Sequence, residues 1–392
     1  MNNFQYYTPT KVVFGKETEA EVGELVRECG CKRVLVHYGS GSVKRSGLLE
    51  RILQSLEKAG VSYISLGGVV PNPHLSLVYQ GIELCKKEAV DFILAVGGGS
   101  VIDSAKAIGY GVTNEGDVWD FYEKKRTAKA CLPIGVVLTI AAAGSEMSDS
   151  SVITKEEGWI KRGYSSNYCR PRFAVMNPQL TMTLPEYQTM SGCVDIMMHT
   201  MERYLNHTEN MELTDGFSEH LIRTVMKNAK ILLDTPDCYE ARAEVMWAGS
   251  LSHNGLTGCG TDGGDWATHQ LEHELGGMFD VAHGAGLAAV WGSWARYVVE
   301  ERPQRFAQFA VKVMGVADTE DVMQTALRGI EAMEAFFRSI KMPTTMQELG
   351  ITPSDEQIKE LSKKCSFFGK RTIGCVKVLD QEDMRRIYMN AR

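Results

Sequence analysis

The chain has no Cys-x-x-Cys pair, no Walker A sequence and no run approaching eighteen apolar residues. It also has no surplus of positive charge: 42 Lys and Arg stand against 49 Asp and Glu, a formal charge of −7. Each absence excludes a class. Ten cysteines without paired spacing argue against a zinc finger or a thioredoxin-like motif. The lack of a long apolar run leaves nothing to span a membrane as a helix. An acidic balance argues against a nucleic-acid partner, which usually needs a basic face. The opening MNNFQYYTPTKVVFG shows no basic segment leading an apolar run, so no signal peptide is expected. Scattered thiols then point to a reduced cytoplasm.

What is present is ordinary for a globular protein. Of 392 residues, 44% are hydrophobic and 23% charged, which allows two domains of normal size. The first 180 or so residues alternate strand and helix signals. Short apolar runs at Lys32–Tyr38, Val61–Leu66, Asp91–Val96 and Leu132–Leu138 are separated by helical stretches such as LLERILQSLEKAG and LSLVYQGIELCKKEA. That alternation predicts βαβ units and a mostly parallel sheet. After about Leu184 apolar residues recur at three- and four-residue spacing and strand signals almost vanish, which predicts an all-helical domain. The expected organisation is an α/β dinucleotide-binding domain over 1–184 and an all-α metal and substrate domain over 185–392.

Two glycine-rich turns carry the nucleotide reading. Gly97-Gly98-Gly99-Ser100 follows a buried strand and opens a helix. Glycines let the backbone turn tightly against a ligand, and the helix start offers N–H groups and a positive dipole end to a pyrophosphate. The second turn, Gly39-Ser40-Gly41-Ser42-Val43-Lys44-Arg45, ends the first strand of the alternating region. Many NAD-binding folds place an acidic residue near such a strand end to hold the ribose 2′-hydroxyl. This turn has hydroxyls and two cations instead, which favours the 2′-phosphate of NADP(H), with NAD(H) as the alternative. Gly258-Cys259-Gly260-Thr261-Asp262-Gly263 fits the dinucleotide fingerprint by spelling, but it follows a helix rather than a strand and is set aside.

The helical half carries a metal pattern. Asp195 and His199 are four apart on one helix face, in a stripe otherwise made of Val194, Met197, Met198 and Met201. An isolated carboxylate there is costly, and a cation removes the cost. His269, His273 and His283 follow within 90 residues of Asp195. One Asp with His ligands suits iron(II) or zinc and not calcium. Spacing alone does not say which downstream histidines belong to the set. His-Glu-x-x-His is absent, which disfavours a zincin protease.

TPTKVVFGK, VHYGSGSVKRSG, GVVPNP, LAVGGGSVIDSAKAI, LTIAAAGSEM, GCVDIMMH and THQLEHELGGMFDVAHGAGLA occur in that order over nearly the whole chain. This set resembles the iron-containing (group III) alcohol dehydrogenase family, in the NADPH-using branch of butanol dehydrogenases and aldehyde reductases. The resemblance implies the fold shared by that family and dehydroquinate synthase. It implies Asp195, His199, His269 and His283 as metal ligands, and His273 as a non-ligand proton relay near the nicotinamide. It also implies that Gly97, Gly98, Gly99, Ser100 and Asp103 hold the pyrophosphate and nicotinamide-side ribose, with Asn72, Thr139 and Lys161 as further cofactor contacts. The implied reaction is hydride transfer between NADP(H) and a primary alcohol or its aldehyde. A homo-oligomer, a dimer or larger, is implied in the same way. Ala143 and Lys370-Arg371 depart from the family pattern and bear on the substrate. The rival readings are a hydroxyacid–oxoacid transhydrogenase and a dehydroquinate synthase-like lyase.

Overall fold

The structure, a computed structural model, describes residues 1–392. The chain divides into two compact units, Tyr7–Thr183 and Leu184–Arg392 with Met1–Tyr6. The first six residues join the helical unit through main-chain ties no periodicity reveals. The Met1 ammonium donates to the Glu209 carbonyl at 2.9 Å, and the Asn2 amide to the Gly260 carbonyl at 2.9 Å.

The first unit is built on eight strands: β1 (Lys11–Phe14), β2 (Arg33–Gly39), β3 (Ser62–Val69), β4 (Phe92–Gly97), β5 (Ile134–Leu138), β6 (Ser150–Lys155), β7 (Ile160–Ser165) and β8 (Phe173–Met176). Six form a parallel sheet in the order β1-β8-β5-β4-β2-β3. β6 and β7 form a separate antiparallel hairpin. The four strands expected from the sequence are β2 to β5. They are legible because a central parallel strand is buried on both faces and reads as a continuous apolar run. β1 and β8 are four residues each and were not expected. Nor was the hairpin, whose SSVITK and IKRGYS segments are largely polar.

One sheet face packs Val34, Val36, Phe92, Leu94, Val137 and Val175 against Val22, Val26, Ile52 and Leu56 of the helices Val22–Glu28 and Leu48–Lys58. The strand order reverses direction between β2 and β4, since β2 leads on to β3 at one edge and β4 to β5 on the other side. In doubly wound sheets the crevice beyond the carboxyl ends of such a pair is where ligands bind. The Gly39 and Gly97 turns end these two strands.

His37 of β2 is wholly buried. Its Nδ1 lies 2.8 Å from the Leu66 carbonyl oxygen and its Nε2 2.9 Å from Ser104 Oγ. Burial pushes its pKa down to about 4, against the opposing pull of the Leu66 carbonyl. Between the unfolded value of about 6.5 and 4, the unfolded chain takes up a proton that the folded chain refuses. Stability therefore falls as pH drops through that window, by about 2 kcal/mol from this residue at pH 4.5. The urea midpoint of wild type is expected to fall more between pH 7 and pH 4.5 than that of His37→Gln. Equal falls would refute the assignment.

The second unit consists of helices, and its sheet-type pairing is limited to a bridge between Ile373 and Leu379. Its central helix, Glu186–Tyr204, is buried along most of its length. It packs against the helices Glu212–Asp234, Tyr239–His253 and His283–Val298. Its carboxyl end is fixed by Arg305, whose Nε donates to the Tyr204 carbonyl at 2.7 Å and whose Nη1 and Nη2 each reach Asp215 at 2.6 Å. A guanidinium there also complements the helix dipole.

Candidate functional site

Asp195 and His199 stand one turn apart on the central helix, so both side chains leave the same face. His269 comes from the helix Ala267–Phe279, and His283 is the first residue of His283–Val298. Asp195, His199 and His269 offer ligand atoms all within 4.8 Å of one another. His269 Nε2 lies 3.9 Å from Asp195 Oδ1, and His283 Nε2 lies 3.8 Å from the same oxygen. Two ligands of one tetrahedral ion are about 3.4 Å apart, so these atoms need only close in slightly. His199 Nδ1 is 2.9 Å from the Asp195 carbonyl oxygen and 3.0 Å from Oδ1. A proton on Nδ1 satisfies the carbonyl and leaves Nε2 bare.

The donor set fits a divalent metal on the structure's own evidence. His269 Nε2 is buried with no hydrogen-bond partner, and it faces Asp195 Oδ1, a buried oxygen left unsatisfied because its close neighbour, His199 Nδ1 at 3.0 Å, directs its proton to the Asp195 carbonyl. Orphaned buried polar atoms are rare, and two that face each other mark a place for a third body. Burial alone raises the Asp195 pKa, but the imidazoles of His199, His283 and His269 more than reverse it and hold the group ionised. The His269 pKa is pushed well down by burial and by His199 and His283, so its ring is neutral and able to ligate. A carboxylate with neutral imidazoles is the ligand chemistry of zinc or iron(II).

His273 lies outside this cluster. It groups with Glu272 and His283 instead, its ring centroid 5.7 Å from that of His283.

Residues expected from the sequence to hold the nucleotide lie around the carboxyl ends of β4 and β5. β4 ends at Gly97 and the helix Gly99–Thr113 starts two residues on. A side chain at Gly97 would collide with Val101, its Cβ only 2.5 Å away, while at Gly98 and Gly99 the fit would be tight, with a Cβ 3.0 Å from Ile140 and 3.2 Å from Ala143 Cβ. The departure at Ala143 thus lies directly against the glycine turn. Thr139 donates its amide to the Gly97 carbonyl at 3.0 Å. Asp103 accepts from Ser145 Oγ at 2.5 Å and from the Val152 amide at 2.9 Å. Asn72 adopts a left-handed backbone at φ 54°. The carbonyl of the next residue, Pro73, receives the Thr154 amide at 2.8 Å, and Thr154 pairs with Lys161 across the hairpin. The hairpin that sequence reading missed is therefore what gathers Asn72, Asp103 and Lys161. At the other turn, Ser42 opens the short helix Ser42–Arg45, and Lys44 Nζ stands 5.1 Å from the Tyr38 ring centroid.

Several residues at these sites escaped sequence reading. Glu202 Oε1 lies 2.9 Å from His269 Nδ1 and accepts the His269 amide at 3.0 Å. Burial raises the pKa of Glu202, and burial together with the Glu202 charge raises that of Asp265. His253 stacks edge-on against His199 at 4.1 Å between centroids. Lys106 is fully buried and donates to the Ser145, Ser148 and Ser150 carbonyls at 2.8, 3.0 and 2.8 Å. It ties the Ser145–Ser150 segment, and with it the Asp103 partner Ser145, to the glycine-turn helix. A lysine or glutamate in a helix is an ordinary surface residue by spelling, so no pattern sets these apart.

Residues 9–178 match the family described as iron-containing alcohol dehydrogenase, and residues 189–392 match its C-terminal family. The chain belongs to the iron-containing alcohol dehydrogenase family. It is 40% identical over 388 residues to the probable NADH-dependent butanol dehydrogenase 1 of Bacillus subtilis (strain 168), covering 99% of each chain. It is 34% identical over 395 residues to the NADPH-dependent aldehyde reductase YqhD of Escherichia coli (strain K12), covering 100% of each. The crystal structure of the NADH-dependent butanol dehydrogenase A from Thermotoga maritima superposes with a TM-score of 0.96 at 38% identity, covering 100% of this chain and 99% of that one. This family member is thus an oxidoreductase of the alcohol dehydrogenase and aldehyde reductase kind, using a nicotinamide nucleotide and a divalent metal. No helix is long and apolar enough to cross a membrane.

Proposed function

We propose that this family member interconverts primary alcohols such as butanol with their aldehydes, prefers NADP(H) to NAD(H), and holds one iron(II) or zinc ion on Asp195, His199, His269 and His283. The observation that carries the metal assignment is the facing pair of orphaned atoms, Asp195 Oδ1 and His269 Nε2, at 3.9 Å. The names of similar proteins support the substrate class, and they include both nucleotides. The preference for NADP(H) rests on the Gly39–Arg45 turn, where Lys44 and Arg45 stand and a carboxylate does not.

Residues 1–184 serve the nucleotide in this reading, and 185–392 the metal and substrate. When bound, the metal supplies a Lewis acid for the substrate oxygen and the nicotinamide carries the hydride. The chain's own residues do the rest. Asp195 brings one negative charge to the centre, and the imidazoles of His199, His269 and His283 complete the set. Gly97, Gly98, Gly99 and Ser100 bring first-turn amides to the pyrophosphate. Gly39, Gly41 and Ser42 flank the adenosine-side ribose, while Asn72, Asp103, Thr139 and Lys161 orient the nicotinamide half. His273 holds or yields, at an imidazole nitrogen, the proton that the alcohol oxygen gains or loses. The working protein is a cytoplasmic homo-oligomer, a dimer or larger.

Anaerobic oxidation of NADPH with butanal tests this directly. Metal-stripped protein is reconstituted separately with iron(II) and zinc, with NADH run in parallel. Turnover that needs metal and favours NADPH is expected. Faster turnover with NADH would overturn the nucleotide preference alone. No turnover with any metal, nucleotide or aldehyde would overturn the whole reading.

A further inference from the structure

We propose that Glu272 is a positioning residue of the metal centre, fixing the ring of His283 so that its Nε2 faces Asp195; the inference rests on the metal reading above. His283 is the loosest member of the set. Its side chain is 25% exposed, against 5 or 6% for Asp195, His199 and His269. It also begins its helix, so that helix has no preceding turn to cover the ring, and the neighbouring rings of His269 and His273 stand 5.3 and 5.7 Å away between centroids. An imidazole so placed can rotate unless its other nitrogen is held.

Glu272 supplies that hold. Its carboxylate Oε2 is hydrogen-bonded to His283 Nδ1. Glu272 is wholly buried and lies three residues after His269 on the same helix, so one helix face contributes a ligand and orients another. Gly286 leaves the space for this contact: a Cβ there would lie 2.9 Å from Glu272 Cγ and 3.0 Å from Oε1. With the Nδ1–H donating its hydrogen bond to the carboxylate, the lone pair sits on Nε2, 3.8 Å from Asp195 Oδ1. A carboxylate behind a ligating imidazole fixes its tautomer and raises its basicity. Glu202 makes the corresponding contact to His269, but it also accepts that residue's backbone amide. Its replacement would disturb the helix start, which makes Glu272 the cleaner probe.

The test measures metal affinity rather than turnover. Wild type, E272Q and E272L are stripped of metal and titrated with cobalt(II) and zinc(II) against a chromophoric chelator. The cobalt d–d spectrum and the urea stability of each metal-free form are recorded alongside. E272L is expected to bind about 10- to 100-fold more weakly, with a changed cobalt spectrum. E272Q keeps an acceptor without the charge and is expected to fall between E272L and wild type. A purely structural glutamate would instead lower metal-free stability and leave affinity and spectrum as they were. That result, or wild-type binding by both variants, overturns the proposal. If E272L does not fold, the isosteric E272Q decides alone. Failure of the wild type to bind a stoichiometric metal would overturn the metal reading and this inference with it.

Discussion

His269→Ala is expected to remove nearly all metal-dependent turnover while the protein stays folded. His269 is the buried imidazole whose Nε2 faces Asp195 Oδ1 at 3.9 Å, and alanine offers no ligand atom. Loss of a partner behind a ligand typically costs 10- to 100-fold in metal affinity or activity. Loss of the ligand itself is expected to cost more, on the order of 10³-fold in kcat/KM. The fold survives because Glu202 Oε1 retains the backbone amide of residue 269, a contact at 3.0 Å that does not involve the ring. A smaller side chain and one fewer hydrogen bond are expected to cost about 1–3 kcal/mol of stability. Steady-state kinetics, bound metal and circular dichroism on the same preparation check the three statements. Near-wild-type turnover would sink the ligand assignment.

Gly284→Ala is expected to damage both stability and the metal centre. A Cβ at this position would lie 1.9 Å from the Ser191 carbonyl oxygen and 2.8 Å from its carbon. Both atoms are backbone, so no rotamer relieves the collision, and the helices Glu186–Tyr204 and His283–Val298 must move apart. Overpacking of this kind typically costs 1–3 kcal/mol and occasionally more. The functional cost follows from position. Ser191 lies one turn before Asp195 and Gly284 directly follows His283, so separation at this contact draws the two proposed ligands apart. A lower melting temperature in the metal-free protein, together with weaker zinc binding in chelator competition, is the expected pair of results. An unchanged melting temperature and affinity would mean that the two helices do not approach as closely as described.

These two substitutions differ in how visible their targets were. His269 was a candidate by residue type and spacing. Gly284 was one of 38 glycines, and only the Ser191 carbonyl distinguishes it. The same contrast runs through the fold. β2 to β5 announce themselves because each is a short apolar run with a turn beyond it. β1 and β8 pair with each other across some 160 residues of chain, from Lys11 beside Phe173 to Phe14 beside Met176. Four residues carry too little pattern to declare a strand, and their hydrogen bonds come from elsewhere. The β6–β7 hairpin is polar enough to resemble loop, yet it gathers Asn72, Asp103 and Lys161.

By itself, then, the sequence determined whatever is local: alternating strands and helices, two glycine turns placed after strands, and the Asp195–His199 pair on one helical face. These follow from periods of two and 3.6 residues and from backbone geometry within a single element. Only the tertiary structure decided the rest. It brought His269 and His283 to within 4 Å of Asp195 Oδ1, set Glu202 and Glu272 behind them, and buried Lys106 among serine carbonyls. The physical reason is distance along the chain. Asp195 is separated by 74 residues from His269 and by 88 from His283. Contacts over such separations depend on how whole helices pack, which no local pattern of residues records.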